Sequence, residues 1–459
     1  MKYSMWAFLL LVSATWRTGV VADDNWPQFR GHNGLGLSDG NPPLTWDVSE
    51  GTNVEWKTPI AGLGHSSPIV WGDKSFLTTA VNSETEKPSL KTGWLGGAGE
   101  SAPDKGQWSW QVLCLNLRTG RIVWTKDALV GEPAVKRHMK ASHANCTPAT
   151  DGQHVVAFFG SEGLFCYDVD GNLKWQKSFG VLRSGPYDDK KLEWGFASSP
   201  IMSDGHVLVQ CDCLNTAFVA ILDVQTGEEI RRIEREGEVA TWSTPAVILH
   251  DGRRQIVCNG YKQMAGYDYE TGERLWHLNG GGDIPVPMPL FADGLIHLTN
   301  GHGKSPSYAI KPSATGNITP SKNGTKKDGL AWWESTDGAY MPTPLIHGEL
   351  IYTCNDNGRL AVRDAATGSL IYRQRVGTGS RTYSASAVAT ASHVYFASER
   401  GEITTIEVGQ KFRKVSRNEM GEVVMATPAI SGDRLLIRTT DALFSIKTPE
   451  PLPAFPTLP

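Results

Sequence analysis

Short runs of β-branched and aromatic residues alternate with clusters of glycine, aspartate and asparagine along nearly the whole chain. Residues 145–175 show this pattern most clearly. Residues 154–159 and 164–169 have the length and composition of strands, and the turn residues at 160–163 and 170–172 separate them. The segment predicts a four-stranded unit with tight hairpins. Because one small sheet cannot bury both of its faces, we expect neighbours of the same kind.

The start of this unit recurs along the chain as a proline preceded by serine or threonine, or in one copy by Met288. Seven copies lie at residues 66–68, 146–148, 198–200, 243–245, 287–289, 342–344 and 426–428, and a degenerate eighth lies at 385–387. The interval between copies is about 41 to 55 residues, except for the first, which is about 80. Four strands in each period of roughly 40 to 50 residues are typical of a β-propeller.

The second half of the unit also recurs, as a turn glycine followed four residues later by an aromatic side chain. The pairs are Gly120 and Trp124, Gly171 and Trp175, Gly272 and Trp276, and Gly368 and Tyr372. Arg231 occupies the aromatic slot after Gly227. We expect the glycine to close a hairpin and the aromatic ring to pack against the adjacent unit.

The last unit, residues 427–447, has room for only about three strands, whereas residues 53–57 resemble a final strand with nothing before it. Pairing these two segments would close the ring and remove an exposed sheet edge. The sequence therefore predicts an all-β, eight-bladed propeller over residues 23–447, with the last blade closed by an N-terminal strand. A Pro-rich tail follows at residues 448–459.

Propeller topology sorts the loops between strands. Each blade runs outward through strands A to D, so the D-to-A and B-to-C connections emerge on one face of the ring. The longest of these predicted connections are residues 81–110, 126–143, 176–196, 278–287 and 301–306. The exception is the polar C-to-D loop at 317–330. Because loops gathered on a rigid scaffold commonly carry function, the face with the long loops is the candidate binding face.

Composition narrows the partners and the compartment. The 459 residues are 40% hydrophobic and 20% charged, and a net charge of −4 provides no basic field for nucleic acid. Residues 1–22 resemble a signal peptide, with Lys2, an apolar stretch and small residues before Asp23; an uncleaved anchor is the alternative. There is no lipid-attachment cysteine and no apolar run long enough for a transmembrane segment. The sequence predicts a periplasmic or secreted protein.

Seven cysteines, an odd number, leave at least one thiol outside any intramolecular disulfide. Cys211, Cys258 and Cys354 each follow a turn glycine by six residues, so they share one strand position. We expect small buried thiols at equivalent core positions, and the sequence alone leaves disulfide pairing open.

The repeated openings and closings resemble those of the PQQ-repeat β-propellers and, more closely, the exported BamB-like propeller proteins of bacteria. The segment Asn25-Trp26-Pro27-Gln28-Phe29-Arg30-Gly31 and residues 138–175 are similar to secreted members of that group. The resemblance implies the fold over nearly all of the mature chain. For activity it implies either a quinoprotein dehydrogenase or a non-catalytic scaffold.

Dehydrogenase chemistry has weak support in the sequence. Alcohol-oxidising members of the PQQ-repeat β-propellers, which this chain resembles, carry adjacent cysteines and a Ca²⁺ site built from several oxygen ligands. This chain has no Cys-Cys pair, and Glu193 and Asp283 are the nearest acidic candidates. We therefore expect no cofactor and no catalytic or metal-binding residues. A divergent alcohol or sugar dehydrogenase using PQQ and Ca²⁺ is the alternative.

The remaining hypothesis is a binding module for a protein, peptide or glycan on the long-loop face. Residues just before each A strand should surround the mouth of the central channel, and aromatic and arginine side chains are common in recognition sites. The predicted ligand-binding residues are His65, Ser142, His143, Trp194, Trp242, Tyr340, Arg381 and Tyr383. Trp194 and Trp242 are equally compatible with a plug of core residues.

Overall fold

The computed structural model describes residues 24–85, 87–95, 99–321, 327–378 and 382–449. These residues form 33 strands in eight separate sheets, with one 3-10 turn at His32–Gly34 and another at Gly160–Glu162. In each sheet the neighbouring strands A to D are antiparallel and follow one another in the chain, except in the last. The predicted all-β, eight-bladed propeller is confirmed.

We number the blades in chain order and letter their strands A to D outward from the channel. Blades 1 and 2 consist of Ile69–Trp71, Lys74–Asn82, Trp108–Asn116 and Ile122–Gly131, then Ala149–Thr150, His154–Phe158, Leu164–Asp168 and Leu173–Lys177. Blades 3 and 4 consist of Ile201–Ser203, His206–Asp212, Ala217–Asp223 and Glu229–Glu234, then Ala246–His250, Arg253–Cys258, Met264–Asp268 and Arg274–Leu278. Blades 5 and 6 consist of Leu290–Ala292, Leu295–Thr299, Ser307–Ile310 and Leu330–Glu334, then Leu345–His347, Leu350–Cys354, Arg359–Asp364 and Leu370–Arg375. Blade 7 consists of Val388–Ala389, His393–Ala397, Glu402–Glu407 and Lys414–Glu419.

Blade 8 joins the two ends of the propeller. Its first three strands are Ala429–Ser431, Arg434–Arg438 and Ala442–Ile446, and its outer strand is the N-terminal Val54–Pro59. The pairing is antiparallel, with Val54 opposite Ile446 and Pro59 opposite Ala442. The predicted closure by an N-terminal strand is therefore confirmed, with a strand slightly longer than residues 53–57.

The opening motif links each blade to the next around the channel. The side-chain hydroxyl of its central serine or threonine accepts a hydrogen bond from the backbone N–H of the equivalent residue in the preceding blade. Six such bonds of 2.9 to 3.1 Å run from Ser67 to Thr147, Thr147 to Ser199, Ser199 to Thr244, Met288 to Thr343, Thr343 to Ser386 and Ser386 to Thr427. Blade 5 has Met288 in this position and offers no hydroxyl to Thr244. The recurring hydroxyl residues are therefore an inner ring of contacts between blades.

The closing motif links the outer edges of adjacent blades. The Trp175 indole N–H donates to the Val224 carbonyl of blade 3 over 2.7 Å, and Gly227 lies under the indole ring. A Cβ on Gly227 would lie 2.6 Å from that ring, and its φ of 71° also favours glycine. Arg231 fills the same slot by donating to the Tyr269 carbonyl over 3.0 Å. The predicted packing of this motif against the adjacent blade is confirmed.

The N-terminal segment 24–41 closes the channel at the end where the A-to-B turns lie. It exchanges backbone hydrogen bonds with Val70 of blade 1 and accepts one from Thr150 of blade 2. The Gln28 side-chain oxygen accepts a hydrogen bond from the Met202 N–H of blade 3, and the Ser431 hydroxyl of blade 8 donates to the Asp24 carbonyl. Phe29 packs against an apolar cluster that includes residues of blades 4, 5 and 6. We call this segment the N-terminal plug.

Arg30 is the central residue of the plug and is fully buried. Its guanidinium donates to the carbonyls of Ala387 in blade 7 (2.7 Å) and Pro344 just before blade 6 (2.9 Å). Two further bonds go to the plug itself, at Gly34 and Leu35. Burial lowers the pKa of Arg30 to about 9. One buried charge therefore joins the plug to blades 6 and 7, which lie more than 300 residues later in the chain.

The structure shifts several predicted loop boundaries. In blade 1, strand B ends at Asn82 and strand C begins at Trp108, so the loop predicted at 81–110 is shorter than predicted. Strand D of the same blade continues to Gly131, which likewise shortens the loop predicted at 126–143. Strand Gly316–Asn317, at the start of the predicted 317–330 loop, adds a parallel fifth strand beside Trp276 in blade 4. The predicted signal peptide 1–22 lies outside the described residues, as does almost all of the tail 448–459.

All seven cysteines are free thiols buried in the blades or just beside them. Burial raises the pKa of Cys114 and Cys258 to about 12. The expectation of small buried thiols at core positions is confirmed. The described part of the chain contains no helix with the length and hydropathy that crossing a bilayer requires.

Candidate functional site

A cavity of about 610 Å³ lies at the end of the channel opposite the plug. Its walls come from D-to-A connections that include residues 132–148, 178–200, 279–289 and 382–387, and from B-to-C connections of blades 1, 5 and 6. These belong to the face that propeller topology selects from the sequence. The volume is within the usual range for small-molecule sites, about 300 to 1,000 Å³.

Two long loops on this face are fastened to each other by Arg137. The guanidinium of Arg137 is fully buried and makes a bidentate pair with Asp104 at 2.6 and 2.9 Å. It also donates to the carbonyls of Ser89 and Ala141. Burial alone would raise the pKa of Asp104, but hydrogen bonds from His143 and Arg137 lower it instead. Residues 87–95 and 99–107 are therefore held in one arrangement with loop 132–148.

Glu399 fastens the same loops to the opposite side of the ring. It lies in the B-to-C turn of blade 7 and is 1% exposed. Its two oxygens accept hydrogen bonds from Lys140 Nζ (2.6 Å), Ser384 Oγ (2.6 Å), Thr382 Oγ1 (2.8 Å) and the Gly93 backbone N–H (2.7 Å). The cavity walls are consequently cross-braced through a buried ion pair with no oxygen left unsatisfied.

Aromatic side chains form much of the cavity surface. The rings of Trp194 and Trp242 lie 5.7 Å apart at 37°, and His138 meets Trp194 edge-on at 5.4 Å. Tyr340 lies on another part of the wall, 5.7 Å from His302. Trp94 at the lip is 80% exposed. Trp194 and Trp242 are only partly buried, so they line the cavity and are not a plug of core residues.

Two of the lining histidines are neutral at pH 7. Burial is the main cause that lowers the pKa of His65 to about 3, with Arg438 and Arg137 adding to it. Burial likewise lowers the pKa of His138 to about 4, helped by Lys140 and Arg137. Each is held by the same loop residue, since His65 Nε2 meets the Lys140 carbonyl at 3.1 Å and His138 Nδ1 accepts from the Lys140 N–H.

Three carboxylates also line the cavity: Asp188, Asp283 and Asp356. Asp283 is paired with His302 Nδ1 at 2.6 Å. No described cation lies within ion-pair distance of Asp188 or Asp356. Desolvation is the main cause that raises the pKa of Asp356, while Lys140 lowers it and Glu399 raises it. Burial raises the pKa of Tyr340 to about 12, with contributions from Asp356 and Asp283, so this side of the cavity is acidic.

The structure brings together four of the eight predicted ligand-binding residues, since His65, Trp194, Trp242 and Tyr340 all line the cavity. Arg381 lies outside the described residues. Ser142, His143 and Tyr383 do not line it. Whether any of the eight binds a ligand stays a prediction.

The three residues that face elsewhere are held by contacts that sequence does not reveal. Ser142 is buried and bonded to Asn145. His143 is turned toward Asp104 (3.0 Å) and the edge of Trp108. Tyr383 is 1% exposed and packs on Gly358 in the core between blades 6 and 7. All three were expected at the mouth because they precede A strands, but each instead supports the loop backbone.

Sequence reasoning missed several wall residues, above all Asp356, Tyr187 and Trp94. Asp356 lies in the B-to-C turn of blade 6, which is too short to stand out by length. A rule that inspects every B-to-C turn, not only long ones, would find both Asp356 and Glu399. The pairing of Glu399 with Lys140 joins blade 7 to a loop that follows blade 1, and no local pattern marks it.

Comparison with known proteins agrees with this architecture. The family model described as outer membrane protein assembly factor BamB matches residues 109–374 and, in an overlapping match, 219–448. The chain belongs to the BamB family. The resemblance to PQQ-repeat propellers is thereby confirmed. No curated protein matches the chain significantly.

Solved structures share the fold of this BamB-family chain at low identity. BamB from Moraxella catarrhalis is 11% identical with a TM-score of 0.51, over 80% of this chain and 99% of that one. The C-terminal WD40 domain of Sif2 is 10% identical with a TM-score of 0.51, over 78% and 97%. The computationally designed Ika8 protein is 12% identical with a TM-score of 0.50, over 78% and 98%. At these identities the likeness extends to the fold alone.

The donor set of the cavity does not fit a Ca²⁺–quinone centre. A hard cation requires several convergent oxygen ligands. Among the described residues, no group of three or more His, Cys, Asp or Glu side chains is close enough together to hold a metal. The cavity lining contains no cysteine, so no adjacent thiol pair faces it.

Proposed function

We propose that this BamB-family propeller is a non-catalytic binding module that takes a protein or peptide partner at the cavity on its long-loop face. The observation that carries the proposal is the cavity itself: an aromatic-walled site of about 610 Å³ whose loops are braced by buried ion pairs. Rigid walls reduce the entropy lost on binding, and aromatic anchors supply contact area. The description of the family as an assembly factor supports a protein partner.

The same proposal includes action outside the cytoplasm, in the periplasm or after secretion. It is supported by the signal-like residues 1–22 and by the outer-membrane description of the family.

A cavity-filling variant tests the binding face. Deleting residues 81–110 would remove strand and core residues such as Trp108 and Trp110, so a substitution is sharper. Ala197→Trp places an indole in the cavity, and Gln153→Trp places one on the exposed A-to-B turn of blade 2, at the other face. Both proteins and the wild type are screened against a displayed random-peptide library and a glycan array.

We expect peptides that bind the wild type and Gln153→Trp but not Ala197→Trp. Enrichment that is the same for all three proteins would refute this face as the binding site. Binding of glycans alone, again blocked by Ala197→Trp, would keep the site and replace the partner class. An absence of any ligand for the wild type would count against the binding module.

A further inference from the structure

Some polar groups of the cavity already have hydrogen-bond partners within the fold, and others do not. Asn145 donates to the Phe196 carbonyl and accepts from Ser142, and the hydroxyls of Thr382 and Ser384 both donate to Glu399. The Trp242 indole N–H donates to the Gly195 carbonyl. These groups have their partners within the fold, so they are not available to recognise a ligand rich in hydroxyls or amides.

What remains without a partner in the described cavity lining is mainly negative charge. Asp356 and Asp188 have no described cation within ion-pair distance, whereas the one lining ammonium, Lys140, is neutralised by buried Glu399. His65 and His138 add no positive charge at neutral pH, because burial depresses their pKa values. A cleft with unbalanced carboxylates and low-dielectric walls concentrates cations.

The aromatic wall suits a cation for a separate reason. The faces of tryptophan and tyrosine attract ammonium and guanidinium groups within about 6 Å of the ring centroid. One ring at the rim is already used in this way by the chain itself. Lys262 Nζ lies 5.1 Å from the centroid of Tyr187, which lines the cavity, and 4.7 Å from that of Tyr261. Tyr340, Trp194 and Trp242 have no such cation of their own among the described contacts.

We infer that the cavity selects a cationic side chain, lysine or arginine, presented by a peptide segment of the partner, with Asp356 as its counter-ion and Tyr340, Trp194 and Trp242 as its walls. The inference rests on the proposed function, because it specifies the occupant of the same site. Asp356 is suited to the role by position: it is partly buried and faces the cavity, in the blade next to that of Glu399.

The fold holds Asp356 at a cost. Desolvation, and to a lesser degree the charge of Glu399, disfavour its ionised form. An unpaired, partly buried carboxylate is destabilising until a cation approaches it. Removing its charge should therefore preserve or raise thermal stability while weakening the ligand, which is the pattern of a binding residue and the opposite of a structural one.

The test uses three labelled peptides of equal length, in which glycine alternates with lysine, glutamine or glutamate, and measures fluorescence anisotropy with the intact protein. We expect the lysine peptide to bind at least about tenfold more tightly than the glutamine peptide, and the glutamate peptide not to bind. Asp356→Asn should weaken the lysine peptide by about tenfold or more without lowering the midpoint of thermal unfolding.

A matched control separates local recognition from net charge. Asp251→Asn removes one negative charge from a side chain that is 89% exposed, in the A-to-B turn of blade 4 at the other face. It should leave the lysine peptide's affinity unchanged. Equal weakening by both substitutions would show a general electrostatic effect and overturn the inference. Trp94→Ala, at an exposed lip residue whose loss does not threaten folding, should weaken the lysine peptide several-fold.

The outcomes distinguish this inference from the proposed function. If lysine and glutamine peptides bind equally and Ala197→Trp blocks both, the cation preference is wrong and the binding module stands. If only glycans bind and Ala197→Trp blocks them, the occupant is a glycan and the inference is wrong. If neither these peptides nor the displayed library yields a ligand, both proposals fail.

Discussion

The two ends of the channel are built from opposite uses of charge. At the plugged end, the buried guanidinium of Arg30 meets only carbonyl oxygens, and each of its described bonds stays within the fold. At the open end, Asp356 and Asp188 line the cavity, and no described cation lies within ion-pair distance of either. The satisfied charge joins blades, and the unsatisfied charge leaves room for a partner. The comparison shows how one channel can be a structural axis at one end and carry the candidate binding site at the other.

We expect the largest effect on stability from acidification, which should destabilise the open end of the channel first. His65 and His138 are neutral in the fold, with pKa values of about 3 and 4, but titrate near 6.5 when unfolded. Below pH 6.5 the unfolded chain binds more protons, so stability present above that pH is lost as the pH falls toward 4. Each histidine contributes a slope of up to about 1.4 kcal/mol per pH unit.

Denaturant unfolding between pH 7 and 4.5 measures this slope. The double variant His65→Gln, His138→Gln should lose stability more gently on acidification than the wild type. Glutamine can replace the hydrogen bonds of both rings to the Lys140 backbone. His250→Gln, at a partly exposed residue of blade 4, is the matched control, and the same gentler slope in that variant would contradict the assignment.

Arg30→Lys tests the plugged end. A lysine ammonium cannot reach the four carbonyls that the guanidinium spans, so buried acceptors lose their donors. We expect a loss of about 3 kcal/mol or more in the free energy of unfolding. Arg413→Lys, at an arginine with a 73% exposed side chain, should change it by less than about 0.5 kcal/mol. Similar losses in the free energy of unfolding for both variants would show that Arg30 has no special role in holding the plug.

Gly34→Ala tests how closely the plug fits blade 5. A Cβ there would lie 2.2 Å from Met288 Cε, and φ is 69°, so we expect a loss of about 2 kcal/mol. Adding Met288→Thr should recover part of the loss. It removes the clash and supplies a hydroxyl that can accept a hydrogen bond from the Thr244 backbone N–H. A double-mutant cycle by thermal unfolding measures the coupling. Strict additivity would mean that the two residues do not interact.

The smallest effect is expected from thiol reagents. Neither the plug nor the described cavity lining includes a cysteine, and burial raises the pKa of thiols such as Cys166 and Cys213 to about 12. The native protein should therefore show almost no reaction with Ellman's reagent over minutes, and all seven thiols should react in denaturant. Rapid native labelling of even one thiol would contradict the described packing.

The blades were predictable because their signals are short-range in sequence and repeated. Trp175 reaches only the next blade, and the hydroxyl of Ser199 serves only the preceding one. The orphan strand was predictable because a ring has only one place for it. These contacts follow from adjacency, which the order of repeats already specifies.

The cavity was predictable in outline but not in detail. Topology places the residues before the A strands at the mouth, and His65 and Tyr340 lie there. His143 does not, because Asp104 in another loop turns it away. Lys140 and Glu399 meet only after the ring closes, so no local pattern records their pairing. The role of the N-terminal plug was missed for the same reason.

The plug also constrains how the chain acquires its fold. Arg30 lies 357 residues before Ala387, and Val54 pairs with Ile446. The plug precedes the blades in the chain, yet some of its docking sites lie in blades 7 and 8 and emerge late in synthesis. Blades 1 to 4 can form earlier from local hairpins, but the channel axis and the final sheet can assemble only when the ring is nearly complete. Closure is therefore a late event with a large loop-closing entropy, and truncation before blade 8 should leave the N-terminal segment without its final binding sites.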